Sequence, residues 1–301
     1  MSLSCKIFVV VVTYNGKQWY DRCFGSLLAS NYPVSIIVVD NGSTDGLQDY
    51  IRNHFQDIYI ISNATNYGFA KANNIGIRYA LDNGADYVFL LNQDAWIEPN
   101  TIGELLRTFE DNEKVGVASP IHLNGTYSAL DRNFSEYMGW QFTSDAFLGK
   151  IKHYYDVPFI NAAAWMLSVA CIKKVGGFDT LLFKHYGEDN NYLQRVHFHG
   201  MRVIVNTRCT ICHDREGRGI NVLQNTSFNQ NFNDFMDKIE KANILNSIDI
   251  YQEKKKKKRI LIKAYIGFHP KRVRRLQKEI QLLNDIEISR GCNIRGGEVW
   301  L

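Results

Sequence analysis

The chain has 301 residues, of which 45% are hydrophobic and 22% are charged, so it can form one large globular domain or two unequal ones. Its net charge of +4 is unevenly distributed, because residues 253–301 carry +9 and residues 1–252 carry −5. No apolar run approaches the ~20 residues of a membrane span, no secretory signal opens the chain, and the scattered cysteines do not resemble a disulfide framework, so we expect a cytoplasmic protein.

In chain order, the first 120 residues alternate between apolar segments and helical patterns. This alternation predicts βαβ units, and hence an α/β fold with a mainly parallel central sheet flanked by helices. No Gly-x-Gly-x-x-Gly or Walker loop occurs, so the common dinucleotide and P-loop folds are not favoured. The predicted strands are residues 6–12, 35–39, 58–61, 87–91 and 115–118.

The rest of the chain is less regular at first and then helical. Residues 121–158 are rich in Asn, Ser, Tyr and Phe and are expected to cover a site. From Asn229 the pattern is helical to the end, with a break near residues 267–270. Between these regions the predicted elements are an apolar segment at 159–170, a short helix after residue 188, and short strands at 202–205 and 209–212.

The fourth strand ends abruptly in the polar residues Asn92, Gln93 and Asp94. In open α/β sheets, ligands bind beyond the carboxyl ends of the strands. Asn92 and Asp94 are two positions apart and would point to the same side, which suits an oxygen-rich ligand set for a hard divalent cation. The alternative is a simple turn in which Asp94 caps the helix that Pro99 begins.

Two further acidic positions have two interpretations each. Asp40 ends the second strand, where a carboxylate either forms an Asx turn or accepts the imide N–H of a pyrimidine base. Glu188 and Asp189 begin a predicted helix, where they either complement the helix macrodipole or provide a general base for a substrate hydroxyl. Arg195 could anchor that helix or neutralise one of the two acids.

The segment Cys209-Thr210-Ile211-Cys212-His213 matches the pattern of c-type haem attachment. Haem attachment requires export, which nothing in the sequence indicates, and a zinc site would need a second pair of ligands. On a strand, the two cysteines would point to opposite faces. His213, at the end of this strand, remains a candidate metal ligand by itself.

The C-terminal region contains two basic clusters separated by apolar residues. Residues 254–259 are all Lys or Arg, apolar residues follow within 260–268, and more cations lie within 271–275. Such interleaving is typical of interfacial helices, so residues 253–278 are expected to contact an anionic membrane surface. The alternative is a solvated helix face. Nucleic acid is not expected as a partner, because the acidic main body offers no extended positive face.

Several short segments together resemble the inverting family-2 glycosyltransferases of the GT-A fold, over roughly residues 5–215, and in particular bacterial rhamnosyltransferases of cell-surface polysaccharides. Each segment is weak singly, whereas their common order and spacing are specific. The resemblance implies a GT-A catalytic domain over residues 1–225, with a nucleotide-binding half (1–120) and an acceptor half (121–225), followed by the helical, basic extension 226–301. The matching segments are 12–15, 39–46, 66–76, 92–94, and 176–179 with 186–189.

The resemblance also implies the chemistry: a UDP- or dTDP-type sugar donor, a divalent cation (Mn²⁺ or Mg²⁺), and a glycan or lipid-linked acceptor at the cytoplasmic face of a membrane. Asp94 would bind the cation, and His213 would complete the metal or diphosphate site. Glu188 and Asp189 would supply the base, for which we choose Asp189, and Trp165 would lie near the acceptor. The implied nucleotide-binding residues are Thr13, Tyr14, Asn15, Asp40, Gly68, Lys71, Asn74 and Asn92.

Two positions depart from the family's pattern. Asn92 replaces the first acid of an Asp-x-Asp metal motif, and Asn191 replaces the last acid of Glu-Asp-x-Asp. Two alternatives stay open. A sugar-1-phosphate nucleotidyltransferase would show a Gly-rich, basic loop after the first strand, and a non-catalytic binder of nucleotide sugars would not need the intact Asp94, Glu188 and Asp189.

Overall fold

The structure, a computed structural model, describes residues 5–184, 186–218 and 227–301. Within these ranges, nine strands form one sheet. The strands are β1 (Ile7–Thr13), β2 (Ser35–Asp40), β3 (Tyr59–Ser62), β4 (Tyr87–Asn92), β5 (Ala95–Ile97), β6 (Val115–Asn124), β7 (Tyr154–Asp156), β8 (Ala164–Ser168) and β9 (Arg202–His213). The α-helices are α1 (Tyr20–Leu28), α2 (Leu47–His54), α3 (Phe69–Asp82), α4 (Thr101–Asp111), α5 (Arg132–Tyr137), α6 (Gly139–Phe147), α7 (Val169–Val175), α8 (Glu188–Phe198), α9 (Ser227–Ala242), α10 (Ile250–Ile266) and α11 (Pro270–Arg295).

The sheet has the strand order β3-β2-β1-β4-β8-β6-β9-β5, and β7 pairs with β9. Strands β3, β2, β1 and β4 run parallel, as the βαβ pattern predicts. Beyond β4 the pairing is mixed, because β8 is antiparallel to both β4 and β6, whereas β6 and β9 are parallel. The α/β prediction is confirmed, with the parallel pairing concentrated in the N-terminal half.

The register of the sheet brings polar strand ends to one edge. In the parallel pairs, Val12 lies opposite Asn92, and Thr13 lies opposite Asp40. On the other side of the sheet, β5 begins and β6 ends beside His213, the last residue of β9. Since connections from parallel strands leave at their carboxyl ends, this edge is where a ligand cleft is expected.

Alternating residues of the central strands pack into two separate cores. Val9 and Val11 of β1 are fully buried in the core covered by α1, α2 and α4. Val10, between them, is buried in the core covered by α3, α7 and α8. This two-fold alternation explains why the strands are continuous apolar runs, because both faces of the sheet are covered by helices.

The C-terminal helices pack on the segment that precedes α8. Leu182 and Phe183 share a buried cluster with Ile286 of α11. The Ser289 hydroxyl of the same helix donates to the buried Asp179 carboxylate at 2.5 Å. The predicted extension is therefore helical and is attached to the body by both apolar and polar contacts. The division at residue 225 stays a prediction about folding units.

The final residues also return to the body. The Gly177 N–H donates to the Val299 carbonyl at 2.8 Å. The Asn74 side-chain amide donates to the carbonyls of Phe178 (2.8 Å) and Trp300 (2.9 Å), and its oxygen accepts from the Phe178 N–H at 2.7 Å. The chain end and α3 thus hold the Gly-Gly-Phe-Asp segment between them.

Three local predictions differ from the structure. Residues 121–158, expected to be irregular, contain the end of β6 together with α5, α6 and β7. The two short strands expected at 202–205 and 209–212 are one strand, β9, with an irregularity in its pairing with β6. The C-terminal helical run has the expected break near 267–270 and another between α9 and α10. None of the described helices has the length and apolar content needed to cross a membrane.

A close approach of α3 to the sheet gives a test of this packing. A Cβ on Gly76 would overlap the buried Val10 side chain of β1. We expect Gly76→Ala to destabilise the protein by about 1–3 kcal/mol, since a stiff, fully buried side chain cannot yield. Chemical denaturation measures the effect.

The matched control is Gly103→Ala in α4, where nothing lies within 4 Å of the added Cβ. There the substitution should stabilise the helix, by up to about 1 kcal/mol. Equal effects at the two positions would contradict the packing of α3 on β1.

Candidate active site

A cleft of about 790 Å³ lies at the edge where the strands end. It is walled by the loops after β1 and β4, by the residues before β8, and by the start of α8. Nine of the residues expected at a site line it. They are Thr13, Tyr14, Asn15, Gly68, Asn92, Asp94, Glu188, Asp189 and His213.

The loop after β1 is held in place by a side chain from the loop after β4. The Tyr14 N–H donates to the Gln93 side-chain oxygen at 2.9 Å, and the Gln93 amide donates back to the Tyr14 carbonyl at 3.2 Å. This reciprocal pair leaves the Tyr14 ring 47% exposed at the cleft, where it can contact a ligand.

The loop after β2 also supports the loop after β1. Asn15 has a left-handed φ of 47°, and its side-chain oxygen accepts from the Thr44 N–H at 2.8 Å. The Asp45 carboxylate accepts from the Lys17 N–H at 3.0 Å and from the Tyr20 hydroxyl at 2.9 Å. Asp45 therefore joins the two loops, whereas helix α2 begins after Gly46 without a side-chain cap.

Asp94 and His213 meet at the floor of the cleft. The His213 Nε2 lies 3.6 Å from the Asp94 carboxylate and 3.5 Å from the Asn92 amide nitrogen. Asp94 and His213 are only 2% and 1% exposed. Their backbones are fixed as well, because β5 pairs with β9 beside them and the Asp214 N–H donates to the Asp94 carbonyl at 2.9 Å.

A buried carboxylate that the sequence analysis missed, Asp131, supports His213 from behind. Asp131 lies 3.2 Å from His213 Nδ1 and accepts from Arg215 Nε at 2.5 Å. Its other oxygen accepts from the Phe134 N–H and so caps α5. Burial by itself would raise the pKa of Asp131, but the hydrogen bond to His213 and the charge of Arg215 hold that pKa well below its usual range.

On the opposite wall, Glu188 and Asp189 form the first turn of α8. The preceding Gly187 has φ 90°, a left-handed conformation that favours glycine. Burial, followed by the charge of Asp189, raises the pKa of Glu188 to about 7, while Lys238 of α9 opposes this shift. Lys238 is itself held by donating to the Leu182 carbonyl at 3.2 Å.

Asp189 is less enclosed than Glu188 and lines the cleft directly. One of its carboxylate oxygens accepts from the Asn190 N–H at 2.8 Å. Burial raises the pKa of Asp189, whereas hydrogen bonds from the backbone, the nearby Ala162 included, and the charge of Arg215 lower it. Both carboxyl groups therefore line the cleft with a raised pKa, and the side chain of Asp189 is the more exposed of the two.

Four of the residues expected at the site lie outside the residues that line the cleft. Asp40 is buried and forms the Asx turn, because it accepts from the Ser43 N–H at 2.9 Å and from the Gln48 amide at 3.3 Å. Lys71 stacks over the Tyr67 ring at 4.3 Å.

The other two of these four residues are buried elsewhere in the fold. Asn74 is occupied by the Phe178 and Trp300 backbones. Trp165 is fully buried and packs on the rings of Phe178 and Tyr192.

Asn191, the second departure from the family's pattern, points into the core. Its side-chain oxygen accepts from Arg195 Nε at 3.1 Å. The fully buried Arg195 also donates to the carbonyls of Val175 (2.9 Å) and Gly177 (2.6 Å). Arg195 therefore anchors α8 to the segment after α7, which is the first of the two roles considered for it.

Cys209 and Cys212 lie in different hydrophobic clusters, as expected for a strand. Within the described residues, no group of three or more His, Cys, Asp or Glu side chains could hold a metal ion by itself. A metal role for Asp94 and His213 would therefore need ligands beyond these two side chains.

Sequence reasoning gave no role to several polar residues that line the cleft or lie directly behind it. Asp131 and Arg215 gave no local signal, since 84 positions separate them in the chain. Gln93 belonged to a recognised segment but was given no role. The remaining lining residues that were not predicted include Gln18, Asn41, Asn66, Asn133, Tyr137, Asn161 and Tyr186.

Comparison with known proteins identifies related sequences. The family model described as Glycosyl transferase family 2 matches residues 8–176. The dTDP-rhamnosyl transferase RfbF of Shigella flexneri is 32% identical over 136 residues, which cover 45% of this chain and 42% of that protein. The N-acetylglucosaminyl-diphospho-decaprenol L-rhamnosyltransferase of Mycobacterium tuberculosis is 31% identical over 122 residues, covering 38% and 40%. The chain thus spans less than half the length of these two relatives.

A solved structure confirms the fold. The mannosyltransferase PcManGT from Pyrobaculum calidifontis, in complex with GDP-Man and Mn²⁺, superposes with a TM-score of 0.57 at 16% identity. The match covers 96% of this chain and 74% of that one. The predicted GT-A architecture is therefore confirmed, including the presence of a helical C-terminal region.

The raised pKa of Glu188 leads to a prediction about stability and pH. Because the folded-state pKa of about 7 lies above the ordinary value of 4.5 for a glutamate, Glu188 contributes stability that is present at low pH and is lost as pH rises towards 7. Glu188→Gln removes this titration. The free energy of unfolding of Glu188→Gln minus that of wild type should therefore increase by about 2 kcal/mol between pH 5 and pH 8.

Urea unfolding of both proteins at the two pH values measures the difference. Glu136→Gln, at an exposed position of α5, controls for the change in net charge. A stability difference between Glu188→Gln and wild type that does not change with pH would contradict a raised pKa at Glu188.

Proposed function

Since the chain belongs to glycosyl transferase family 2, we propose that it transfers a sugar from a nucleotide-diphosphate donor to a hydroxyl group of a glycan or lipid-linked acceptor. The observation that carries this proposal is the composition of one cleft. Its floor holds the acid–imidazole pair Asp94 and His213, and its wall presents the carboxylates Glu188 and Asp189. This arrangement provides separate groups for a leaving diphosphate and for an incoming hydroxyl.

The charge of the cleft supports the use of a divalent cation. Three carboxylates line it, whereas Arg215 is the only Lys or Arg among the described lining residues. A nucleotide diphosphate is itself anionic, so a cation must offset the repulsion between the ligand and the cleft. The low number of basic groups also favours a diphosphate donor over the triphosphate of a nucleotidyltransferase.

The donor atoms on the floor fit such a cation when it is shared with the ligand. Asp94 would provide a carboxylate oxygen, His213 an imidazole nitrogen and Asn92 an amide oxygen. Mg²⁺ is usually held by one or two carboxylates together with substrate phosphates, so a partial protein set is sufficient, and we propose Mg²⁺ or Mn²⁺. When bound, the cation would offset the negative charge that develops on the departing diphosphate.

The donor nucleotide is assigned to the loops after β1 and β3. Thr13, Tyr14 and Asn15 line the cleft on one loop, and Gly68 lines it at the start of α3. We propose a UDP- or dTDP-type donor on the basis of the family resemblance. Lys71 would act indirectly through Tyr67 in the loop after β3, and Asp40 by fixing the loop after β2, whereas Asn74 holds the segment after α7.

On the acceptor side, Asp189 is proposed as the base. In a single displacement, the acceptor oxygen forms a bond to the anomeric carbon while the bond from that carbon to the diphosphate oxygen breaks. The acceptor proton passes to the Asp189 carboxylate, and the anomeric centre inverts. The side chain of Glu188 is less exposed than that of Asp189. Glu188 would position the first turn of α8 and hold a second proton near the Asp189 carboxylate.

The acceptor itself would bind between α5 and the residues before β8. Asn133, Tyr137 and Asn161 line that part of the cleft and provide amide and ring surfaces suited to a sugar. Trp165, the residue expected there, is buried in the core behind them and would support this wall. An acceptor carried on a lipid would be met at the cytoplasmic face of a membrane, which is the proposed location of the protein.

The metal role of Asp94 can be tested by an isosteric change. Asp94→Asn keeps the size of the buried side chain but removes its charge, so nucleotide diphosphate with Mn²⁺ should no longer raise the melting temperature. Wild type should show a clear shift under the same conditions. Differential scanning fluorimetry with UDP and dTDP, each with and without Mn²⁺, provides the measurement.

The matched control is Asp145→Asn, which alters another buried carboxylate away from the cleft. It should retain the full ligand-induced shift. If Asp94→Asn responds to nucleotide and Mn²⁺ as wild type does, Asp94 is not part of the donor site.

The choice of base is tested by comparing the two neighbouring acids. Asp189→Asn should lower kcat by roughly 10²- to 10⁴-fold, the usual contribution of a general base, while the melting shift by donor nucleotide is retained. Glu188→Gln should lower kcat less. Turnover measured as released nucleotide diphosphate reports both effects, and an inactive Glu188→Gln beside an active Asp189→Asn would reverse the assignment.

A further inference from the structure

We propose that the tip of the α10–α11 hairpin, formed by Ile262, Tyr265, Ile266 and Phe268, inserts into the surface of an anionic lipid bilayer. These four side chains are 60%, 53%, 74% and 91% exposed. Ile262, Tyr265 and Ile266 follow one another at helical spacing on the last turns of α10, and Phe268 lies in the turn between the helices. All four lie at the same end of the hairpin, and none of them lines the cleft.

Of these four residues, Tyr265 joins the two helices, because its hydroxyl accepts from the Gln277 amide at 2.9 Å, and the apolar interior of the hairpin lies elsewhere. Its interior is a small cluster in which Ala264 of α10 contacts Val273 and Leu276 of α11, with Ile260 and Leu261 partly buried beside them. A helix whose apolar residues are all buried against the protein would leave no apolar tip. Here such burial is confined to the inner face of α10. The tip residues point away from that face.

The charge of the residues around the tip indicates which kind of partner binds it. Residues 254–278 contain twelve Lys or Arg and no Asp or Glu. Near the base of the hairpin, Lys257 pairs with Glu279 at 2.5 Å and Lys254 pairs with Glu287. Near the tip, the exposed Lys263, Lys271 and Arg272 have no carboxylate within ion-pair distance among the described residues.

In an anionic membrane, charged phosphates lie at the surface and apolar acyl chains lie beneath them. An apolar tip surrounded by cations matches this order. The apolar side chains would enter the boundary between headgroups and acyl chains, and the basic groups would meet lipid phosphates. A second copy of this chain is a poorer partner, because two tips of the same positive charge would repel each other. An open depression lined by Phe268, His269, Pro270, Lys271 and Arg272 gives the lipid headgroups room between apolar and basic groups.

This inference narrows the membrane contact predicted from residues 253–278 to the hairpin tip. It assigns Lys254 and Lys257 to pairing within the hairpin and the residues of the tip to the lipid. It complements the proposed function, since a lipid-linked acceptor lies in the same surface, but the binding can be measured without any transfer reaction.

Vesicle co-sedimentation of the full chain tests the proposal. The vesicles are phosphatidylcholine alone and phosphatidylcholine with phosphatidylglycerol. Wild type should bind the anionic vesicles only, and less at high salt, because screening weakens surface attraction. Ile266→Gln with Phe268→Asn should reduce binding at least tenfold. Asn tolerates the left-handed φ of 52° at Phe268, so this variant should fold.

Two matched controls separate the tip from general surface effects. Phe147→Asn with Leu148→Gln removes two other exposed apolar side chains, 91% and 58% exposed, and should leave binding unchanged.

For charge, Lys271→Gln with Arg272→Gln should weaken binding about 30-fold, since each such cation near an anionic surface contributes roughly 1 kcal/mol and each 1.4 kcal/mol is tenfold. The same double change at Lys173 and Lys174 of α7 should have little effect.

The fluorescence of a tryptophan placed at the tip measures insertion directly. Phe268→Trp should shift its emission to shorter wavelength on anionic vesicles, whereas Phe147→Trp should not. Equal binding of wild type and the tip variant, or equal binding to neutral vesicles, would overturn the proposal. So would a concentration-dependent dimer that the tip variant loses without any vesicle binding. The nucleotide-induced melting shift of the tip variant should equal that of wild type, so failure here is distinct from failure of the proposed transfer.

Discussion

The alignment of strand ends at one edge of the sheet is the constraint on which the site depends. Parallel pairing places Thr13 beside Asp40 and Val12 beside Asn92, and the pairing of β5 with β9 places His213 beside the turn that carries Asp94. In β1 and β4, and in β2 after Ser35, the residues are apolar up to the last position, so the polar side chains that end these strands lie at this edge. The cleft is a direct consequence of the register.

Buried charge at that edge is stabilised by pairing between distant segments. Asp131 compensates both His213 and Arg215, which would be costly to bury without a partner. On the opposite wall, Glu188 and Asp189 are adjacent acids with no comparable compensation, and burial raises the pKa of both. The carboxyl groups behind the floor and on the wall therefore differ in pKa. A site that combines a base with a separate electrostatic group requires such a difference.

The C-terminal helices act on the cleft from outside and extend away from it. On the inner side, Lys238 faces Glu188, and Ser289 holds Asp179 at the segment that leads into α8. On the outer side, the α10–α11 hairpin exposes apolar residues next to Lys263, Lys271 and Arg272, for which the described part of the chain provides no carboxylate within ion-pair distance. Helices α9–α11 thus contact the segment that carries the acid pair, and residues 253–301, which include α11 and most of α10, carry a net charge of +9.

The sequence by itself determined the α/β class, the positions of the first strands, and nine of the residues that line the cleft. Each of these rests on local information, namely apolar runs, polar residues at strand ends, and short motifs. The tertiary structure alone decided which polar residues face the cleft. Asp40 and Asn74 carry the right chemistry but are satisfied by neighbouring backbone, whereas Asp131 and Arg215 join across 84 positions of sequence. The orientation of a buried polar group depends on partners that folding brings together, and no local pattern records those partners.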